Sequence, residues 1–217
     1  MKPARVLLIA VLALLGAFAA GLGVLALQVP DIRSTYTQGG AMYPTVWDEQ
    51  SVRYESGGRL RRGDVIVVGV PDVDYGTLVG RVVGIAGDTV ECCDEGRRVR
   101  IGATSIAEDY LSDVEESPAT PFQVTVPDGS VLVAVDTRSD APKLVPSGDI
   151  LGRATRTDRG DIARTTVFTA AGFTEEFDVV AHGAPRLPWF LITVGGVLLV
   201  AALATALVSR RVSARTG

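Results

Sequence analysis

A hydroxyl that attacks a carbonyl needs a neighbouring base to take its proton, and residues able to play these two parts are sparse in this chain. It has two lysines, Lys2 and Lys143, and one histidine, His182. A lysine acts as a base near neutral pH only where an apolar pocket lowers its pKa from a free value of about 10.4. Lys2 precedes a long apolar run and Lys143 closes the polar run Asp140-Ala141-Pro142-Lys143, so neither reads as a desolvated base. His182 lies just before a second apolar run and reads as a solvated residue at its edge. The hydroxyls Ser34, Thr37 and Thr45 fall in a turn-rich segment, where capping and turn hydrogen bonds account for them. Cys92 and Cys93 are adjacent and have no histidine beside them, a poor zinc site, so the reading is no metal and no cofactor. Gly39-Gly40 and Gly57-Gly58 lack the strand-then-helix setting that a phosphate loop needs.

Five stretches follow one another in an order that is informative. They are Gly39-Gly40-Ala41-Met42-Tyr43-Pro44-Thr45; Leu60-Arg61-Arg62-Gly63-Asp64-Val65-Ile66-Val67; Gly80-Arg81-Val82-Val83-Gly84-Ile85-Ala86-Gly87-Asp88; Val126-Pro127-Asp128-Gly129 with Val135-Asp136-Thr137-Arg138; and Val145-Pro146 with Ile150-Leu151-Gly152-Arg153-Ala154. Over roughly residues 38 to 154 the chain thereby resembles the type I signal peptidases, membrane-bound serine proteases that clip leader peptides from exported proteins. In that family the first stretch reads Gly-x-Ser-Met-x-Pro-Thr, and the third opens with Lys-Arg-Val.

The resemblance implies that Ala41 stands at the nucleophile position and Gly80 at that of the general base, so neither catalytic side chain is present. Losing a nucleophile or base alone costs a serine protease on the order of a million-fold in turnover. An engineered serine-to-alanine change would account for Ala41 and leave Gly80 unexplained; the pair together favours a naturally degenerate member. Thr45 matches a threonine that is not a nucleophile in the family. Gly39, Gly40, Met42 and Pro44 are the groove and oxyanion framework, and the amide of Ala41 remains a donor whatever its side chain. Asp64, Arg81, Asp136 and Arg138 are implied to be structural, and Ala141 replaces a hydroxyl that often holds the lysine. The function implied is a membrane protein of the export pathway that does not cleave, and that binds leader peptides or an active peptidase. A working signal peptidase with unconventional residues and a purely structural membrane protein are the alternatives. The Cys92-Cys93 pair resembles one in actinobacterial signal peptidases; a disulfide between neighbours, pairing between molecules and a free pair are all open.

At 217 residues the chain has room for one domain plus accessory segments. Residues 6–29 are uncharged and, as a helix, would cover about 36 Å against a bilayer core of about 30 Å. Ala17-Phe18-Ala19 has the form of a leader cleavage site, yet the apolar run continues well past it, which favours an uncleaved span. Residues 187–208 form a second span that begins with Pro188-Trp189-Phe190 and ends before Arg210-Arg211, which places both termini in the cytoplasm of a cell-membrane protein. Three segments are expected: a tip and first span over 1–29, an external domain over 30–186, and a second span with a basic tail over 187–217. The external segment holds 16 basic against 25 acidic residues, a net charge of −9, which excludes a nucleic-acid surface. Gly195-Gly196 is expected to meet Gly16, Gly21 or Gly23 across the two spans.

Between the spans, short valine-rich runs bounded by Gly, Pro and Asp predict strands over 64–70, 80–85, 89–93, 98–101, 130–135 and 150–154. Residues 109–121 read as a polar loop, and 165–168 with 177–180 as a further hairpin. The fold class is mainly β, in agreement with the coiled β-sheet that the resemblance implies, flanked by two transmembrane helices.

Overall fold

A computed structural model describes residues 3–27, 31–37, 39–70, 76–92, 98–111, 121–138, 140–180 and 186–215. In chain order these form helix α1 (Pro3–Ala26), strands β1 (Ile32–Tyr36), β2 (Ser51–Ser56), β3 (Gly58–Arg61), β4 (Val65–Gly69), β5 (Thr77–Ile85), β6 (Thr89–Cys92), β7 (Val99–Ile101), β8 (Thr104–Ile106), β9 (Phe122–Thr125), β10 (Ser130–Ala134), β11 (Lys143–Pro146), β12 (Ile150–Thr157) and β13 (Gly160–Asp161), the helical turn α2 (Val167–Ala170), strand β14 (Glu176–Val179) and helix α3 (Arg186–Arg215). They divide into two units, residues 1–31 with 183–217 and residues 32–182.

The first unit is a pair of helices whose segments Val6–Ala26 and Pro188–Val208 are long and apolar enough to cross a membrane. Where both helices are coated in aliphatic side chains, close approach needs small residues at the seam. A Cβ added at Gly195 would lie 2.6 Å from the Ala20 nitrogen and the Gly16 oxygen, and one at Gly23 would lie 2.8 Å from the Pro188 oxygen. The seam therefore falls on Gly16, Ala20, Gly23 and Gly195, whereas Gly21 and Gly196 face open space. Gly195→Leu is expected to weaken this helix pair by about 1–3 kcal/mol through overpacking, and Gly196→Leu to be neutral. Thermal unfolding of the full chain in detergent reads the difference, and equal melting of the two variants would contradict this packing.

The second unit is built on an eight-stranded sheet in the order β1-β2-β12-β4-β5-β10-β11, with β13 paired to β12. A four-stranded sheet, β8-β7-β6-β9, and the ribbon β14-β3 complete it. Residues 65–68 of β4 are buried on both faces, Val65 and Val67 among Met42, Val46 and Val79, and Ile66 and Val68 among Val82, Val133 and Ile150. This is why that run reads as continuous rather than alternating apolar residues. The buried Arg62 ties the sheets together: its Nε and Nη2 donate to Asp88, its Nη1 donates to Glu175, and its guanidinium lies 4.9 Å from the centre of the Phe173 ring.

One expectation is corrected. Residues 165–168 and 177–180 do not pair with each other; 167–170 form the turn α2, and β14 pairs with β3. The reason is Phe168, which is fully buried against Gly63, where any Cβ would lie 2.9 Å from its ring. Filling that site takes the segment out of extended geometry. Most of the expected loop over 109–121, residues 112–120, lies outside the described residues.

Candidate functional site

The segment after β1 must turn sharply, and Gly39 and Gly40 do so at φ values of +91° and +58°, which favour glycine. From there a web of short-range bonds fixes the loop. The Gly39 amide donates to Asp48 at 2.6 Å, Tyr43 donates to the Gly40 carbonyl at 3.0 Å, and Val46 to the Met42 carbonyl at 2.9 Å. Met42 and Val46 are buried in the core cluster that also contains Val79 of β5. Tyr43 precedes Pro44 through a cis peptide bond, its ring meets Trp47 edge-on at 4.8 Å, and Arg159 stacks 4.0 Å over Trp47. Thr137 donates to the Ala41 carbonyl through both its amide, at 3.1 Å, and its hydroxyl, at 3.0 Å. The Ala41 amide has no acceptor among the described residues. The loop thus presents a fixed backbone donor next to a methyl group that has no lone pair.

Gly80 lies on β5, paired with Ile66 of β4 and immediately before Arg81. A Cβ built there would stand 2.4 Å from Val133 Cγ1 and 3.3 Å from the Ala134 carbonyl oxygen. The first distance is far inside van der Waals contact, so the space where a lysine side chain would begin is occupied by Val133. Without a side chain at 80, β10 approaches β5 closely enough for a valine methyl to fill the position.

Arg81, by contrast, is fully engaged. Its Nε and Nη2 donate to the two Asp136 oxygens at 2.8 and 2.6 Å, its Nη1 donates to the Gly63 carbonyl at 2.9 Å, and its Nη2 also donates to Thr45 Oγ1 at 2.8 Å. Thr45 Oγ1 in turn donates to Asp136 at 2.5 Å, so its hydroxyl proton is committed. The fork geometry of a guanidinium suits a carboxylate in this bidentate manner. Tyr110 lies under the Arg81 guanidinium, 4.0 Å from it to the ring centre, and its hydroxyl donates to Glu108, which also pairs with Arg138. Burial and the adjacent Glu108 raise the Tyr110 phenol well above its ordinary pKa, so it stays a neutral donor.

Asp136 and Arg138, read from sequence as one structural motif, have separate partners in Arg81 and Glu108. No role at the site was read from sequence for Glu108 or Tyr110, since they stand in a polar stretch without periodicity. Asp64 is buried against Arg164, with Oδ1 2.9 Å from its Nε, and accepts from the Arg61 amide at 3.1 Å. Burial raises its pKa despite the Arg164 charge. The native state therefore holds the Asp64 proton more tightly than the unfolded chain does, and the stability this confers is complete below the ordinary aspartate pKa and is lost as pH rises through the raised value. Asp64→Asn is expected to remove that decline from the profile of melting temperature against pH; a superimposable profile would contradict it.

Among the described residues, the remaining candidates bring no base to the loop. Lys143 is exposed on β11, opposite Val133 in the ladder. Thr37 Oγ1 donates to the carbonyls of Trp47 and Gln50, and Ser34 is exposed on β1. Cys92 is disulfide-bonded. Lys2, Cys93 and His182 lie outside the described residues.

The family model described as signal peptidase, peptidase S26, matches residues 6–156. Among solved structures, a signal peptidase I from Enterococcus faecalis V583 is similar at 25% sequence identity and a TM-score of 0.38, over 44% of this chain and 97% of that one. Curated proteins give no match.

Proposed function

Because the chain belongs to the signal peptidase family, peptidase S26, we propose that it is a non-cleaving member of that family, a membrane protein whose β unit holds leader-peptide segments without hydrolysing them. The observation that carries this reading is the occupied base position: a Gly80 Cβ would overlap Val133 Cγ1 at 2.4 Å, beside a nucleophile position held by Ala41. Two lost side chains remove the chemistry, and the filled space marks a core that has settled around the loss.

What survives supports binding. The loop of Ala41 keeps its web of bonds and an amide able to meet a carbonyl. On β5, residues 77–80 pair with β4, whereas β10 joins the other edge only from Arg81 onward. An extended peptide can add through its main chain to such an edge, which is open among the described residues. In this reading the basic ends of the two spans lie in the cytoplasm and the acidic β unit lies outside, where leader peptides emerge.

The test uses the full-length protein in detergent with a secreted preprotein that carries an Ala-x-Ala site, and with the matching labelled leader peptide. Saturable binding of the peptide without cleavage of the preprotein is expected. Cleavage by the native chain would overturn the proposal, and failure to bind the peptide would remove its binding half.

A further inference from the structure

Thr35 of β1 and Thr77 of β5 touch through their hydroxyl oxygens at 2.6 Å. In sheet order three strands, β2, β12 and β4, separate these two, so the sheet curls until the outer edge of β1 meets the open edge of β5. We propose that this contact is a latch which closes the groove along residues 77–80 in the ligand-free protein; the inference rests on the peptide-holding function proposed above and concerns the regulation of that site.

The geometry is restrictive. Two ordinary bonds place a threonine hydroxyl oxygen about 2.4 Å from its own Cα. With 2.6 Å between the oxygens, the Cα atoms of Thr35 and Thr77 are held to a separation of at most about 7.5 Å. A strand that pairs on both sides needs its neighbours about 9.5 Å apart, twice the interstrand spacing. At this level β1 and β5 are too close to admit a third strand, and no ladder pairing joins them among the described residues. The hydroxyl contact bridges them, and it breaks before a peptide enters. Both side chains are partly buried, either can donate, and the bond spans 42 residues of sequence, so its loss removes a tie between two strands that no ladder bond joins among the described residues.

Removing the bond therefore favours the open groove. With the labelled leader peptide and full-length protein in detergent, Thr77→Val and Thr35→Val are each expected to bind about three- to tenfold more tightly than the native chain, the range set by one part-buried hydrogen bond. Thr77→Ser, which keeps the hydroxyl, should bind as the native chain does. In a second arm, Thr35→Cys/Thr77→Cys is mildly oxidised and examined by mass spectrometry. The approach of the two Cα atoms is expected to permit a cross-link, and the cross-linked protein to lose peptide binding. Valine variants that bind no better than the native chain would overturn the latch while leaving peptide holding intact. A double-cysteine variant that does not cross-link would overturn it whatever the peptide does. Cross-linking without peptide binding by any variant would instead defeat the peptide-holding function, and the latch with it.

Discussion

Asp136→Ala is expected to destabilise the β unit by about 3–5 kcal/mol, the cost of leaving a buried charge without its partner. The Asp136 side chain has no exposed surface and that of Arg81 only 2%, so solvent cannot take the place of the lost carboxylate. The substitution removes two donors' acceptor from Arg81, and it strips Thr45 of the oxygen that its hydroxyl meets. Arg81 would keep only the Gly63 carbonyl and the Thr45 oxygen. Asp136→Asn preserves volume and one acceptor, and its smaller loss should separate the charge from the shape. Denaturant unfolding followed by Trp47 fluorescence is the measurement, with Trp189 in the helical unit replaced by phenylalanine. Because the pair is buried, the loss should change little between low and high salt. A variant as stable as the native chain would show that the carboxylate contributes nothing net, in which case retention of the pair would need a role beyond the fold.

The elements that were legible in sequence share one property, short apolar runs buried on at least one face. Strands β4, β5 and β10 contain such runs, β6, β7 and β12 bury alternate residues, and the predicted segments fall on all six. By contrast β1, with the sequence Ile32-Arg33-Ser34-Thr35-Tyr36, and β2, with Arg53 and Glu55 turned to solvent, carry too few apolar residues to announce a strand. Their pairing is decided by neighbours distant in sequence, with Arg33 opposite Tyr54 and Glu55 opposite Arg153. For α2 the failure was of another kind. Thr165, Thr166 and Val167 have strand propensity, but burying Phe168 over Gly63 outweighs it.

At the site, motif order drew attention to Ala41, Gly80, Arg81 and Asp136, because those positions depend only on spacing. It did not expose Glu108 and Tyr110, which reach Arg138 from about 30 residues away. Nor did it expose Val133, which in sequence is an ordinary core valine. Only its 2.4 Å approach to the missing Cβ of Gly80 distinguishes it.

That approach decides what serine at 41 and lysine at 80 would achieve on the proposed reading. Ala41→Ser/Gly80→Lys alone is expected to leave the protein without useful cleavage, and adding Val133→Ala to raise the rate at least about a hundredfold over the double variant. A lysine at 80 begins with a Cβ inside the Val133 methyl, and valine is held to few χ1 rotamers, so the methyl does not simply swing aside. Either β5 and β10 part, at an overpacking cost of about 1–3 kcal/mol, or the lysine is displaced from the line between Ser and substrate. A displacement of about 1 Å is enough for a hundredfold loss. Val133→Ala removes the colliding methyl, and the lysine methylenes refill the space, which also keeps the amine in the apolar surroundings that a neutral lysine requires. Cleavage of an Ala-x-Ala preprotein, with Trp47 fluorescence confirming the fold of each variant, distinguishes the cases. Equal activity in the double and triple variants would show that Val133 is no obstacle. A folded but silent triple variant would place the decay elsewhere, in the Thr35–Thr77 edge or in the space beside Ala41, since the nucleophile, the base and the room for the base would then all be present.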